Sequence, residues 1–254
     1  MQDINLKTYN EKEVVAGWSS RSELQLPEKK IFKEYFEYFN NKKMLDIGVG
    51  GGRTTLHFAP FTREYIGIDY SKEMINACKK RLEHFPSNIK FEVVNANDLS
   101  QFQNESFDFI LFSFNGLDYS NEMDRKNVLK GIIRICKPNS IFCFSTHNIQ
   151  TINHYYAFNF SFNLKHLLKE IYRQYFLRSM NQKKNIKKEF TFFWDGAHNF
   201  KLHTYYCNPS FQIKQLSDLG FRNIKVYDLS GNDITNSDKL AATKDAWLYY
   251  ICEK

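Results

Sequence analysis

The chain has 254 residues, 43% of them hydrophobic and 17% aromatic, which suffices for one sizeable core. The five cysteines are odd in number and form no C-x-x-C pair, which argues against a disulfide framework or a metal site and favours a reduced, cytoplasmic protein. The formal net charge of +7 equals the excess in residues 160–188 alone, which hold eight Lys or Arg and one Glu. The polar N-terminus and the lack of a long uncharged apolar run predict neither a signal peptide nor a membrane span.

The N-terminal part of the chain predicts a cover followed by a helix. Residues 1–22 include Tyr9 and Trp18 but show no strong hydrophobic period, and we expect them to form a partly ordered lid over a ligand. Residues 28–39 are predicted to be helical, because Pro27 stands where a missing N–H does no harm and the apolar side chains that follow share one face.

Residues 43–69 contain the motif around which the chain is organised. Residues 44–47 predict a buried strand, and the glycines after it leave a turn without side chains where a ligand can approach. A second strand ends on Asp69, 21 residues after Gly48. Strand, glycine turn, helix, strand and acid form the pattern of a nucleotide-binding unit, in which a helix N-terminus offers free N–H groups and the acid can accept ribose hydroxyls.

The spacing of the glycines distinguishes two classes of cofactor. A dinucleotide fingerprint, G-x-G-x-x-G, would have its third glycine at residue 53, which is Arg53. The chain instead has an acid followed by G-x-G-x-G, formed by Asp46, Gly48, Gly50 and Gly52. This resembles the first motif of the class I S-adenosylmethionine-dependent methyltransferases, where the acid lies near the ammonium group of the methionine tail. The resemblance implies S-adenosyl-L-methionine as cofactor and S-adenosyl-L-homocysteine as product.

The elements that follow predict an α/β fold. Helices and strands alternate, as is typical of a doubly wound parallel sheet, with strands predicted at 64–68, 90–94, 107–112 and 141–145. A helix from Pro209 and two late strands resemble the closing antiparallel pair of the same family. The resemblance covers residues 28–147 and 200–254 and implies a mostly parallel, seven-stranded sheet of the Rossmann-like methyltransferase fold.

Residues 149–196 interrupt this alternation. Their apolar residues follow a helical period from Leu164 to Phe176, with basic residues opposite. We therefore predict two parts, a methyltransferase core of residues 1–148 and 197–254 and an inserted helical cap of residues 149–196, placed after the fifth strand.

The ligand of such an open sheet lies beyond the carboxyl ends of the strands. Twelve residues near those ends are the candidates for cofactor binding: Asp46, Gly48, Gly50, Gly52, Asp69, Tyr70, Met74, Ala96, Asn97, Asp98, Ser113 and Asn115. Residues 95–99 resemble the family's adenine-contacting loop, with Asn95 in place of its usual Asp. Asp98 is equally a candidate for a helix N-cap.

Two histidines are candidate catalytic bases. A hydroxyl acceptor benefits from a base, and histidine suits proton transfer near neutral pH. His147 follows the fifth predicted strand, and His198 lies in the return from the cap. Each is alternatively a structural or substrate-orienting histidine. The candidate substrate contacts are Tyr9, Tyr119, His203, Tyr205 and Tyr206.

The basic segment, which includes a predicted exposed loop at residues 181–188, has three interpretations: a solvated face, attraction of an anionic small substrate, or a nucleic-acid groove. The motifs of amino-base and cytosine methyltransferases are absent, which argues against nucleic acid. We expect O-methylation of a small anionic molecule or glycan precursor, such as a sugar or phosphate-type oxygen in capsule or surface-polysaccharide biosynthesis. The alternatives are an RNA-binding protein or RNA methyltransferase that uses the basic cap, and an NAD-dependent oxidoreductase.

Overall fold

The computed structural model describes residues 2–84, 86–181, 189–197 and 199–254. The chain begins with four helices, α1 (Gln2–Tyr9), α2 (Lys12–Ser19), α3 (Leu26–Glu34) and α4 (Phe36–Phe39). The N-terminus of α3 is capped by Glu28, which accepts the backbone N–H of Gln25 at 2.7 Å. The one helix predicted at 28–39 is divided at Tyr35, whose φ of −110° and ψ of 18° leave the helical region.

Five parallel strands and three helices form the centre of the fold. The strands are β1 (Lys43–Ile47), β2 (Glu64–Asp69), β3 (Ile89–Val93), β4 (Phe107–Phe112) and β5 (Cys136–Asn148), and the helices between them are α5 (Thr55–Phe58), α6 (Lys72–Arg81) and α7 (Glu122–Ile135). Their order in the sheet is β3-β2-β1-β4-β5. The order therefore reverses between β1 and β4, where open α/β sheets bind their ligands.

The second part of the chain completes the sheet. It contains α8 (Ile152–Tyr155), α9 (Leu164–Met180), β6 (Phe190–Phe193), β7 (Thr204–Cys207), α10 (Pro209–Asp218), β8 (Arg222–Tyr227), α11 (Ser237–Ala242) and β9 (Trp247–Glu253). Strand β9 runs antiparallel to both β5 and β8, which gives the seven strands that the sequence predicts. Strands β6 and β7 form an antiparallel pair that joins the end of β5, so the described residues form a nine-stranded sheet. The predicted doubly wound, mostly parallel sheet is confirmed, with two strands more than expected.

Side chains of a strand alternate between the two faces of the sheet. Both faces therefore carry apolar side chains, and helices pack on each of them. Leu45 of β1 belongs to a cluster with Leu129 and Ile132 of α7. Its neighbour Met44 packs on the opposite face with Ile31 of α3 and Phe39 of α4. This arrangement buries the strands and leaves their carboxyl ends free to form a site.

The predicted cap contributes both helices and a strand. Helices α8 and α9 follow β5 outside the sheet, whereas β6, also within residues 149–196, is part of the sheet. The division into core and cap stays a prediction. Most of the predicted basic loop, residues 182–188, lies outside the described residues. Within the described ranges, every helix is too short or too polar to cross a membrane.

Candidate active site

A cavity opens beside the carboxyl ends of β1, β2 and β4, where the strand order reverses. Ten of the predicted site residues line it: Gly48, Gly50, Asp69, Tyr70, Met74, Ala96, Asn97, Ser113, Tyr9 and Tyr119. The lining is completed by Asn5, Trp18, Ile47, Val94, Asn95, Phe112, Phe114, Gly116 and Ser120. The structure thus brings together residues from both halves of the predicted motif and from the N-terminal segment.

The glycine turn after β1 forms the floor of this cavity. Gly48 and Gly50 have φ angles of +66° and +55°, in the left-handed region that favours glycine. A Cβ atom on Gly50 would meet nothing closer than the Gly48 carbonyl oxygen at 4.0 Å. The space above Gly50 is therefore open and can admit a ligand close to the backbone.

The Asp69 carboxylate, at the end of β2, holds this turn in place. Its two oxygens accept the backbone N–H groups of Gly50 at 3.0 Å and Ser71 at 2.8 Å. Burial raises the pKa of Asp69 from 3.8 to about 6, against the lowering effect of these hydrogen bonds. The two hydrogen bonds thus fix the Asp69 side chain at the cavity wall. Its raised pKa makes the carboxylate take up a proton in mildly acid solution.

The structure places Asp46 away from the cavity lining, in contrast to its predicted role beside the methionine tail. Its carboxylate accepts hydrogen bonds from the Thr54 hydroxyl and from the Tyr65 hydroxyl, the latter at 2.5 Å. Only 1% of Asp46 is exposed, and burial raises its pKa to about 6. Asp46 therefore connects β1, β2 and the residues after the glycine turn from inside the protein.

Two other predicted cofactor residues also lie outside the lining. Gly52 has a φ of +79°, and a Cβ there would be 2.8 Å from the Cys78 sulfur, so this glycine allows α6 to pack closely. Asp98 is exposed, and its carboxylate accepts the backbone N–H of Ser100 at 3.0 Å. Both residues shape the backbone near the cavity instead of facing it.

Helices α1 and α2 cover the cavity, so the predicted lid is a folded element. The Tyr9 ring lies 5.9 Å from that of Tyr119, and Asn5 donates to the Tyr119 carbonyl oxygen at 2.7 Å. The Trp18 ring packs edge-on against Phe114 at 5.0 Å. These contacts join the N-terminal helices to the segment after β4.

Helix α2 rests directly on the glycine turn. A Cβ atom on Gly51 would lie 2.5 Å from Cα of Ser19, so only glycine permits this approach. The Arg81 guanidinium donates to the carbonyl oxygens of Gly51 at 3.0 Å and Arg21 at 2.8 Å, and so links the turn to the end of the cover.

A buried ion pair that the sequence did not predict lies under the cavity wall. Arg53 donates to both oxygens of Glu28, at 2.5 and 2.6 Å, and Glu28 also accepts the hydroxyls of Ser113 and Tyr249. Burial acts to raise the pKa of Glu28, but the hydrogen bonds and charge of Arg53 outweigh it, so that pKa is lowered. In the sequence, the one indication of this ion pair was Arg53, which stands at the position of the third glycine of a dinucleotide-binding motif.

His147, the predicted base, is held by a buried carboxylate. Its Nδ1 lies 2.8 Å from Oδ2 of Asp118, an oxygen that also accepts the His147 backbone N–H at 2.7 Å. The other Asp118 oxygen accepts from Arg125 at 2.7 Å and Thr146 at 2.6 Å. Because a carboxylate in this network accepts hydrogen bonds, Nδ1 carries the proton and Nε2 keeps the lone pair. The sequence did not predict Asp118.

Asn115 stands between His147 and the cavity. Its side-chain nitrogen is 3.4 Å from Nε2 of His147, and its neighbours Phe114 and Gly116 line the cavity. Asn115 itself is not among the lining residues, although it was predicted to bind the cofactor. The Asn115 side-chain oxygen is a buried acceptor to which the described residues supply no donor.

The remaining candidates surround this pair at a greater distance from the cavity. The Tyr206 ring lies 4.9 Å from His147, and its hydroxyl donates to Asp195 at 3.0 Å. Tyr205 is buried under the Arg125 guanidinium, and His203 stacks on Trp194 at 4.6 Å. None of these three predicted substrate residues lines the cavity. His198 lies outside the described residues.

The cavity residues fit the S-adenosylmethionine that the resemblance implies. Each Asp69 oxygen uses one lone pair for a backbone N–H and keeps another for a ribose hydroxyl. The hydroxyl of Tyr70, which lines the cavity, is buried and has no partner in the described part of the chain. Together with the open space at Gly50, these groups could hold a polar ligand of this kind. Within the described residues, His, Cys, Asp and Glu form no group of three suited to a metal ion.

The comparisons with known proteins agree on one family. Residues 39–195 match a family model described as a methyltransferase domain. The chain is 26% identical over 208 residues, 78% of each protein, to the ubiquinone/menaquinone biosynthesis C-methyltransferase UbiE of Geotalea uraniireducens. It is 31% identical over 106 residues to the uncharacterized methyltransferase YcgJ of Bacillus subtilis, a match that spans 41% of this chain and 40% of that protein.

A solved structure agrees with this assignment at the level of the fold. The 1,6-didemethyltoxoflavin-N1-methyltransferase of Burkholderia thailandensis, solved with its substrate and S-adenosylhomocysteine, superposes with a TM-score of 0.62 at 11% identity. The alignment covers 100% of this chain and 88% of that one. With its family model, its strand order and its glycine turn, the chain belongs to the class I S-adenosylmethionine-dependent methyltransferases.

Proposed function

We propose that the protein transfers a methyl group to an oxygen atom of a small molecule, with His147 as the base. The observation that carries this proposal is the pairing of His147 with the buried carboxylate of Asp118, next to the segment that lines the cofactor cavity. S-adenosylmethionine, when bound, supplies a methyl group attached to a positively charged sulfur. An oxygen nucleophile can attack the carbon of this methyl group, and the bond from that carbon to the sulfur then breaks.

The chain's own residues then have three tasks: they hold the cofactor, exclude water and remove the proton of the acceptor. Gly48, Gly50 and Asp69 hold the cofactor, and Tyr9 and Tyr119 form an aromatic wall that excludes water from above. A bound acceptor has to lie in line with the methyl group, so positioning supplies part of the rate enhancement.

Removal of the acceptor proton falls to His147. Its Nε2 lone pair can take the proton of a hydroxyl, while Asp118 holds Nδ1–H and stabilises the imidazolium that forms. Asn115 fills the space between Nε2 and the cavity, so its amide would orient the hydroxyl or move aside for it. His198 as a second base stays a prediction.

An anionic acceptor or glycan precursor, including a surface-polysaccharide sugar, is a narrower form of this proposal. Among the described residues that line the central cavity, Asp69 is charged and none is Lys or Arg. A groove beside α9 does contain Lys165, Lys169 and Arg173, and an acidic group of the substrate would have to reach it. The solved phosphoethanolamine N-methyltransferase 2 of Haemonchus contortus, bound to a phosphorylated amine, gives a precedent for such a substrate on this fold.

The alternatives have weaker support. An NAD-dependent oxidoreductase does not agree with the methyltransferase family that the chain matches. An RNA methyltransferase would need the basic cap as a binding groove, but exposed apolar side chains lie among the exposed lysines of α9. We therefore place the acceptor among small molecules.

The test is a screen followed by a mutational comparison. Methyl transfer from labelled S-adenosylmethionine would be measured with hydroxylated metabolites, nucleotide-linked sugars and phosphorylated compounds. For the acceptor found, His147→Ala should lower kcat by about 10²–10⁴ and leave the affinity for S-adenosylhomocysteine unchanged. The control His84→Ala removes an exposed histidine and should have no effect.

The dependence of the rate on pH separates a base from an aligning residue. With a histidine base, kcat of the unmodified protein declines toward acid pH, and His147→Ala abolishes this decline. A flat profile from about pH 6 to 9, with kcat retained in His147→Ala, would contradict the proposed base.

A further inference from the structure

Helix α9 buries two polar side chains and exposes a stripe of apolar ones. The buried positions are Glu170, Gln174 and Leu177. On another side of the helix Leu164, Leu168, Ile171 and Tyr175, at spacings of four, three and four residues, form one stripe, and each is 50–68% exposed. A surface helix of a globular protein normally packs its apolar stripe on the core. In α9 this stripe instead faces outward, and the buried side combines Leu177 with two polar residues.

Hydrogen bonds within the cap fix this orientation. Glu170 accepts from the Arg173 guanidinium at 2.7 and 2.8 Å and from the backbone N–H of Asn159 at 3.2 Å. Gln174 donates to the carbonyl oxygens of Ala157 at 2.9 Å and Tyr155 at 3.2 Å. Rolling the apolar stripe inward would break the bonds to Asn159, Ala157 and Tyr155, which lie outside the helix.

The segment before α9 continues the exposed apolar surface. Phe158, Phe160 and Phe162 are 49%, 67% and 98% exposed. We call the stripe of α9 together with these three phenylalanines the cap face. Many large apolar side chains exposed within one segment of the chain mark a site of contact with another apolar body.

The charge around the cap face points to an anionic contact. Lys165 and Lys169 are exposed beside the stripe, and neither has a carboxylate partner within the described ranges. The one carboxylate in residues 149–181 is Glu170, which is buried and paired with Arg173. A symmetric contact with a second copy would bring the same lysines together, and Asp195, the carboxylate that lines the adjoining groove, already accepts the Tyr206 hydroxyl. RNA would match the lysines but would leave the apolar stripe in water.

We propose that the cap face docks on the surface of an anionic membrane, with its apolar side chains in the interface and its lysines at the lipid head groups. The docked face adjoins the substrate side of the molecule. A groove beside α9 is lined by Leu168, Tyr172 and Asp195, and Asp195 accepts the hydroxyl of Tyr206, which packs on His147. Docking does not depend on the acceptor atom proposed above.

The experiment is flotation of the whole chain with two kinds of vesicle, pure phosphatidylcholine and phosphatidylcholine with a third of phosphatidylglycerol. We expect binding to the anionic vesicles that weakens as salt is raised. The double variant Ile171→Glu/Tyr175→Glu should lose about a hundredfold in vesicle affinity, because two apolar side chains no longer enter the interface. Lys165→Gln/Lys169→Gln should lose about thirtyfold. Affinity for S-adenosylhomocysteine and the melting temperature, both independent of vesicles, show that the variants are folded.

The matched control is Met123→Glu, which removes an exposed apolar side chain at the start of α7, away from the cap face. It should bind vesicles as the unmodified chain does. Absence of binding to anionic vesicles, equal loss in Met123→Glu, or full binding by Ile171→Glu/Tyr175→Glu would each overturn the proposal. So would sedimentation showing a stable dimer that the same double variant dissociates, because a second copy would then cover this face.

Discussion

At the scale of single residues, two buried aspartates at the strand ends have separate tasks. Asp69 faces the cavity and holds Gly50, whereas Asp46 lies inside the protein and accepts from Thr54 and Tyr65. Burial raises the pKa of each to about 6. Burial is the physical cause of both shifts, although Asp69 lines the cavity and Asp46 does not.

Replacement of Asp69 by alanine should weaken the binding of S-adenosylhomocysteine by about 2–3 kcal/mol. The change removes the acceptor for the ribose hydroxyls and also frees the Gly50 N–H, which loosens the turn. Calorimetric titration measures the loss, and Glu73→Ala, which removes an exposed carboxylate nearby on α6, serves as the control. Equal affinities in folded Asp69→Ala and the unmodified chain would exclude Asp69 from the cofactor site.

Replacement of Asp46 by asparagine should change how stability depends on pH. In the folded chain the pKa of Asp46 is raised from 3.8 to about 6, so the folded state holds the proton more tightly than the unfolded state. Ionisation as pH rises from about 4 to 6 therefore removes up to about 3 kcal/mol of stability. Asparagine cannot ionise but can still accept from Thr54 and Tyr65.

The measurement is the free energy of unfolding by urea at several values of pH. The advantage of Asp46→Asn over the unmodified chain should grow between about pH 4 and 7 and then stay constant. A difference that does not vary with pH would show that Asp46 has an ordinary pKa in the folded protein.

Residue patterns predicted part of the site because the motif is local. Gly48, Gly50 and Asp69 lie at the ends of adjacent strands, so spacing alone brought them together. Asp46 has the same sequence signal but turns inward, toward Tyr65. Asp118 could not be found, because its partner His147 is 29 residues away and no spacing rule connects them.

At the scale of elements, the N-terminal helices α1 and α2 cover the cavity, and α2 packs on the glycine turn. The backbone angles of Gly51 are not in the left-handed region, so alanine is allowed there by conformation. It is excluded by Ser19 in α2, whose Cα would lie 2.5 Å and whose hydroxyl oxygen would lie 2.7 Å from the added Cβ. A substitution at Gly51 therefore tests directly whether α2 has to close over the cavity.

Gly51→Ala should displace α2 and weaken S-adenosylhomocysteine binding by about ten- to a hundredfold, the range expected for overpacking. Displacement would also expose Trp18 and shift its fluorescence to longer wavelength. Gly17→Ala, in α2 with no atom within 4 Å of the added Cβ, is the control. If Gly51→Ala binds the cofactor product normally, the cover is not part of the site.

In helix α9, the hydrophobic period predicted the helix but not the side of it that faces the core. Its apolar spacing predicted a helix, and the structure has one from Leu164 to Met180. The period does not say which side meets the core, and here Glu170 and Gln174 face inward through hydrogen bonds to the preceding loop. The orientation follows from tertiary contacts that no local pattern contains.

At the scale of the whole molecule, the sequence predicted the class of sheet. The alternation of strands and helices favours a doubly wound sheet, and β1 to β5 form its parallel part, closed by the antiparallel pair of β8 and β9. Residues 190–194 and 200–206, predicted to be strands or extended returns, contain β6 and most of β7, which pair with each other. The cavity then joins segments as distant as Asn5 and Ser120, which only the folded chain brings together.

The central claim is that the cavity above the glycine turn is the cofactor site. Its most direct test is calorimetric titration of S-adenosylhomocysteine into the unmodified chain and into Gly50→Val, with NADH as the comparison ligand. Valine would fill the open space at Gly50 and strain its φ of +55°. S-adenosylhomocysteine should bind the unmodified chain, Gly50→Val should remain folded without binding it, and NADH should bind neither protein. Normal binding by a folded Gly50→Val protein would contradict the central claim.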